Sequence, residues 1–208
     1  MNLFLLAIIG FTVLFSYKGF NDLTFFRKNE FHIGSIRAGE QYRMLTSGFL
    51  HGDWAHLFFN MFTLYMFAPV VIFNFGALSF VLIYLVSLVA GSLLTLSFHN
   101  NDFNYRAIGA SGAVIGIVYS SILLEPNVEF YGFIPAPIFG VLYLLGSIYG
   151  MKAKNDNIGH VAHFGGAIGG YTTTLIKEPT IFTDNTFMVV ILAVPIVLLY
   201  ILAKSDKI

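Results

Sequence analysis

Cysteine is absent from the 208 residues, which excludes disulfides, zinc–thiolate centres and iron–sulfur clusters. Charge is scarce. Asp, Glu, Lys and Arg make up 11% of the chain, where an ordinary soluble domain carries roughly 25%. Neither sign prevails, with 11 basic and 11 acidic residues and no basic run, so nothing here favours a nucleic-acid partner. In their place stand 57% hydrophobic and 17% aromatic residues, with a mean hydropathy of +0.77. That is too much apolar length for one soluble core and too little charge to cover it. A soluble enzyme and a disordered tail are both poor fits. The composition predicts an all-α polytopic membrane protein.

A helix needs ~20 apolar residues to cross the hydrocarbon. Seven stretches qualify, at about 2–17, 52–73, 77–98, 109–124, 131–150, 158–176 and 186–203. The first lacks a basic leading region and a small-x-small cleavage site, so it reads as a span and not as a signal peptide. The longest polar connection, 18–47, interleaves Lys18, Asp22, Arg27, Lys28, Glu30, Arg37, Glu40 and Arg43 with Phe20, Phe25, Phe26 and Phe31. Charges alternating with aromatics predict a segment lying on the bilayer surface. No linker, low-complexity tract or repeat interrupts the chain, and residues 1–208 read as a single transmembrane domain. Seven spans leave Lys18, Arg27, Lys28, Arg37, Arg43, Arg106, Lys152, Lys154, Lys204 and Lys207 on the side of the 18–47 loop, against Lys177 on the other. On that count the loop faces the cytoplasm.

Polar residues inside spans cost free energy in hydrocarbon and so face protein or trapped water. Three segments carry them. In the first, His51 to Asn60, His56 and Asn60 are four apart and share a helix face. His51 falls about 140° round a helix from His56, beside Asp53. The plain reading of His56 and Asn60 is interhelical hydrogen bonding. In the second, Gly109-Ala110-Ser111-Gly112 has the GxSG pattern of part of a nucleophile elbow. Gly112 and Gly116 also form GxxxG, which helix contact alone explains. In the third, His160 and His163 are roughly co-facial, and Gly166 and Gly170 continue a ridge beyond His163. Pressed against Gly112 and Gly116, that ridge would bring His163 towards Ser111.

Taken together these residues form a parts list: a nucleophile (Ser111), a general base (His163), and oxyanion donors from Asn60, His56 and the backbone around Gly109 and Ser111. No acidic residue lies inside a span to orient His163. Asp102 and Asp156 fall in loops, so the expected arrangement is a Ser–His dyad without a third member.

At this point the chain resembles the rhomboid family of intramembrane serine proteases, with motifs across residues 40–170. Glu40-Gln41-Tyr42-Arg43 is similar to the family's first-loop Trp–Arg motif, with Tyr42 for Trp and Arg43 as its structural arginine. His51, His56 and Asn60 match its second-helix pattern, in which the last two line the oxyanion site. Gly109-Ala110-Ser111-Gly112 matches its GxSG, implying Ser111 as nucleophile, and Ala162-His163-Phe164-Gly165-Gly166 with Gly170 matches its sixth-helix pattern, implying His163 as base. Some members place an aromatic residue four positions after the serine, stacked on the histidine; here that position is Ile115.

The resemblance implies a six-helix bundle over about 1–178 with one extra C-terminal helix at about 183–204, the six-plus-one arrangement. It implies cleavage of transmembrane segments of other membrane proteins, in a cell (plasma or inner) membrane, without metal or cofactor. Access would run between the second and fifth spans, under a cap formed by 151–157, with Phe133, Pro135 and Pro137 in the fifth. It also implies an active site open to the extracytoplasmic side, opposite to the basic-residue count. Glu30, Glu40, Asp102 and Asp156 are available to neutralise basic residues locally. Three competing readings remain: a channel or transporter lined by His56, Asn60, Ser111 and His163; a metal site from His51, His56, His160 and His163; and a non-catalytic rhomboid-like protein that binds membrane clients.

Overall fold

Polar residues at the ends of apolar runs set the helices. The computed structural model describes residues 2–130, 132–153 and 159–205. Asn2 caps α1 (Leu3–Asn21) by accepting from the Phe4 N–H. Asp22 caps α2 (Leu23–Asn29), and Asp53 caps α5 (Trp54–Phe75) by accepting from the His56 N–H at 2.8 Å. Gly76, at φ +79, both ends α5 and opens α6 (Ala77–Phe98), so the chain reverses there without a longer loop.

The polar segment after α1 folds as a run of short elements. These are α2, β1 (Phe31–His32), α3 (Ile33–Arg37), α4 (Arg43–Thr46) and a 3₁₀ turn over Ser47–Phe49. Arg43 is buried and holds them together. Its guanidinium donates to the Arg27 carbonyl at 2.6 Å and the Glu30 carbonyl at 3.2 Å, and pairs with Glu40 at 2.5 Å. Glu30 pairs with Arg27 at 3.1 Å and with Arg106. Three of the basic residues counted on this side therefore pair with two carboxylates, Arg27 and Arg106 sharing Glu30 and Arg43 taking Glu40, while Arg37 bonds Asn100.

Beyond α6 come β2 (Arg106–Ala107), α7 (Ser111–Leu124), β3 (Glu129–Phe130), β4 (Ile134–Pro135), α8 (Ala136–Ala153), α9 (His160–Lys177), α10 (Ile181–Asp184) and α11 (Thr186–Lys204). The result is an all-α membrane bundle. By length and composition α1, α5, α6 and α11 can each cross a membrane, and α7 and α8 are shorter apolar helices. The fifth expected span starts later than the sequence suggested. Phe133 and Pro135 lie in the β3–β4 hairpin, and Pro137 sits in the first turn of α8. A proline there removes an N–H that has no helical partner anyway, so it does not kink the helix. Residues 154–157 of the expected cap, with Lys154 and Asp156, lie outside the described residues.

The centre of the bundle is α7, buried from Gly112 to Leu123. It touches α9 backbone to backbone. A Cβ added at Gly166 would overlap the Gly112 carbonyl, and one at Gly170 the Gly116 carbonyl. The other side of α9 meets α6 in the same way: a Cβ at Gly169 would lie 2.9 Å from the Ser87 Cα, and one at Gly91 would lie 2.7 Å from the Ala162 carbonyl oxygen. Lipid supplies no hydrophobic drive between helices, so close backbone packing of this kind is what holds membrane helices together. It fixes α6, α7 and α9 as one unit.

Candidate active site

Ser111 is placed by the strand that precedes it. β2 pairs antiparallel with β1, Phe31 opposite Ala107. The chain then turns at Gly109, whose N–H donates to the Ser47 carbonyl at 3.0 Å. Gly109 has φ +118, a conformation L side chains rarely adopt, and a Cβ there would lie 2.8 Å from the His56 Nε2. Glycine is required on both counts. Ser111 follows as the first residue of α7. It therefore sits among backbone N–H groups that lack intrahelical partners, at the positive end of the helix dipole.

The glycine contact between α7 and α9 brings His163 to Ser111. The His163 Nε2 lies 2.8 Å from the Ser111 Oγ. Its other nitrogen, Nδ1, lies 2.8 Å from the Ser147 Oγ of α8. The Ser147 hydroxyl donates to the Tyr143 carbonyl at 3.0 Å, one turn back. The Tyr143 ring lies against the imidazole at 4.9 Å between centroids, tilted by 55°, and its hydroxyl is 3.3 Å from Nε2. The aromatic neighbour expected at position 115 is thus supplied from another helix, while Ile115 lines the adjoining cavity.

His51 is fully buried against Ala110, the residue that precedes Ser111. The Ser16 hydroxyl of α1 donates to the Phe49 carbonyl at 2.9 Å, so its oxygen accepts from the His51 Nδ1 at 2.9 Å. That leaves the His51 Nε2 to accept from the Ala110 N–H at 3.3 Å. Burial, with His56 nearby, pushes the His51 imidazole down to about 3, against an opposing pull from Asp53, so it stays neutral at ordinary pH. The expected 140° offset between His51 and His56 does not apply, because α5 starts only at Trp54 and His51 precedes it. The two rings meet edge to face at 4.8 Å. Both His51 nitrogens are engaged, so it has no lone pair for a metal.

His56 and Asn60 share a cavity of about 520 Å³ with Ser111 and His163. The Asn60 amide donates to the His56 carbonyl at 2.9 Å and has a second hydrogen to offer. The cavity lies between α5 (Phe59, Asn60, Thr63) and α8 (Phe139, Tyr143), the second and fifth expected spans, with Val114 and Val118 of α7 along it. His160 sits aside, its ring against Gly150 and 5.9 Å from the His163 ring. Gly112, Gly116, Gly166 and Gly170 form the helix contact, and Arg43 is buried in α4, between α1 and α5 in the chain.

Sequence reasoning missed Ser16, Tyr143 and Ser147. The rule that flagged His56 and Asn60, a polar side chain inside an apolar span, applied to them as well. Tyr143 and Ser147 are four apart in one apolar run, which puts them on one face.

Known proteins with similar sequences identify the family. A family profile described as the Rhomboid domain matches residues 38–179, more than half of the chain. RHOMBOID-like protein 12, mitochondrial, of Arabidopsis thaliana is 30% identical over 183 residues, covering 78% of this chain and 54% of that protein. The Putative rhomboid protease YdcA of Bacillus subtilis is 31% identical over 143 residues, 68% of this chain and 69% of that protein. Rhomboid protease GluP of the same organism is 34% identical over 139 residues, 65% of this chain and 26% of that protein. The chain spans about half the length of the Arabidopsis relative and a quarter of the second Bacillus one. With a matching family profile over the segment that carries the serine, the histidines and the glycine ridges, the chain belongs to the rhomboid family.

Proposed function

We propose that this protein is an intramembrane serine endopeptidase that cuts transmembrane segments of other membrane proteins. The single observation that carries the reading is the 2.8 Å approach of the Ser111 Oγ to the His163 Nε2 beside a cavity. Bacterial relatives named as rhomboid proteases support it. His163 takes the Ser111 proton as Ser111 attacks the scissile carbonyl, then returns it to the departing amine. A water activated by the same imidazole releases the acyl group and restores Ser111. Developing negative charge on the carbonyl oxygen is met by N–H groups at the start of α7 and by Asn60 and His56. No step calls for a metal or organic cofactor.

A transmembrane substrate hides its peptide bonds in its own helical ladder. Substrates with Gly or Pro near the cut unwind at lower cost and are the favoured class. The approach runs between α5 and α8. The active site opens to the extracytoplasmic side of the cell membrane, the side that the family resemblance implies, against the basic-residue count.

The test is cleavage in proteoliposomes. Wild-type protein should cut a single-span substrate bearing a Gly or Pro in its upper half, and Ser111→Ala should leave it intact at equal protein level. Cleavage retained by Ser111→Ala would remove the proposal.

A further inference from the structure

We propose that Ser147 of α8 is a positioning residue for His163, fixing the tautomer in which the Nε2 lone pair faces the Ser111 hydroxyl. The proposal rests on the protease reading above and adds a third participant to the expected dyad.

A neutral imidazole has one N–H and one lone pair, and the group opposite each nitrogen decides which is which. A hydroxyl has a single proton. That of Ser147 goes to the Tyr143 carbonyl at 3.0 Å, one helical turn back on the same helix. Its oxygen, 2.8 Å from the His163 Nδ1, therefore faces the ring as an acceptor. Nδ1 must carry the hydrogen, and the lone pair is left on Nε2, 2.8 Å from the Ser111 Oγ. With the opposite tautomer, Nε2–H would meet the Ser111 hydroxyl and could not take its proton.

The arrangement holds through the reaction. When His163 takes the Ser111 proton, the positive charge is shared with Nδ1–H, which donates to the Ser147 oxygen more strongly as a charged donor. The hydroxyl dipole is already aligned by the Tyr143 carbonyl, so no reorientation is needed. The position is well held: Ser147 is buried, and it is not among the residues lining the cavity. It touches the histidine and not the path of a bound substrate. Tyr143 backs the ring from the same helix, with centroids 4.9 Å apart. Thus one α8 turn supplies both the wall and the acceptor.

The experiment is nitrogen NMR on protein labelled with ¹⁵N-histidine in detergent micelles, with the His163 signals identified by their loss in His163→Ala. The wild type should show the Nδ1–H tautomer at His163. Ser147→Ala should move it towards a mixture with Nε2–H, and Ser147→Thr, which keeps a hydroxyl, should restore it. In parallel, Ser147→Ala should lower kcat for the proteoliposome substrate by about 3- to 10-fold, the range expected for one lost hydrogen bond, with KM unchanged and Ser147→Thr near wild type. A wild-type His163 found as Nε2–H, or a tautomer indifferent to Ser147→Ala, would overturn the proposal. If wild-type protein cleaved nothing, the protease reading would fall, while the tautomer measurement would still decide the role of Ser147.

Discussion

Two histidines flank the start of α7, and they are built alike up to one nitrogen. His51 and His163 are both buried. Each has a serine oxygen at Nδ1, Ser16 at 2.9 Å and Ser147 at 2.8 Å. Each serine spends its own proton on a backbone carbonyl, Phe49 or Tyr143. The Nε2 atoms then face neighbouring residues: His51 meets the Ala110 N–H, His163 the Ser111 Oγ. An amide N–H does not surrender its proton to an imidazole, whereas a serine hydroxyl can. Of these two, His163 lines the cavity and His51 is not among its lining residues. Chemistry here is set less by the histidine or its burial than by what stands at the second nitrogen and whether a substrate can reach it. The first niche holds the turn; the second has the arrangement that the proposed hydrolysis needs.

The comparison can be broken by exchanging what each niche is asked to do. The largest effect should come from the reactive side: Ser111→Ala and His163→Ala should each reduce cleavage at least about 10³-fold, with protein level and thermal stability near wild type. Asn60→Ala removes one donor at the cavity but leaves the N–H groups of α7, so kcat should fall about 10²-fold and not vanish. On the structural side His51→Ala leaves the Ala110 N–H without its acceptor. The cost is about 1–3 kcal/mol of stability, read as a lower Tm, while residual protein still cleaves. A variant that lost cleavage at unchanged Tm would move His51 into the catalytic group.

The pH response sharpens the same contrast. His51 titrates near 6.5 when unfolded and at about 3 in the fold. Between those values the unfolded chain binds the extra proton, so this group's stabilisation is complete above 6.5 and is lost as pH falls towards about 3. The Tm of the wild type should therefore drop over that window more steeply than that of His51→Ala. Equal slopes would show that His51 is not held neutral by the fold.

Much of this was legible in the sequence because membrane helices declare themselves by long apolar runs, and glycines spaced by four declare where helices touch. Gly112, Gly116, Gly166 and Gly170 indicated the α7–α9 contact, and that contact carries Ser111 to His163. What was not legible depends on contacts between separate helices. Ser16, Tyr143 and Ser147 read as ordinary members of apolar helices until α1 and α8 are packed beside the site. The second half of the β3–β4 hairpin falls inside the fifth expected span because Phe133 and Ile134 are as apolar as the helix that follows. The offset assigned to His51 assumed a helix that Asp53 starts only after it.

Labelling with a fluorophosphonate tests the central claim most directly, because it reads the reactivity of one hydroxyl without a natural substrate. Peptide mass spectrometry should place the adduct on Ser111, and labelling should disappear in both Ser111→Ala and His163→Ala. An adduct on another serine, or undiminished labelling in His163→Ala, would contradict the account.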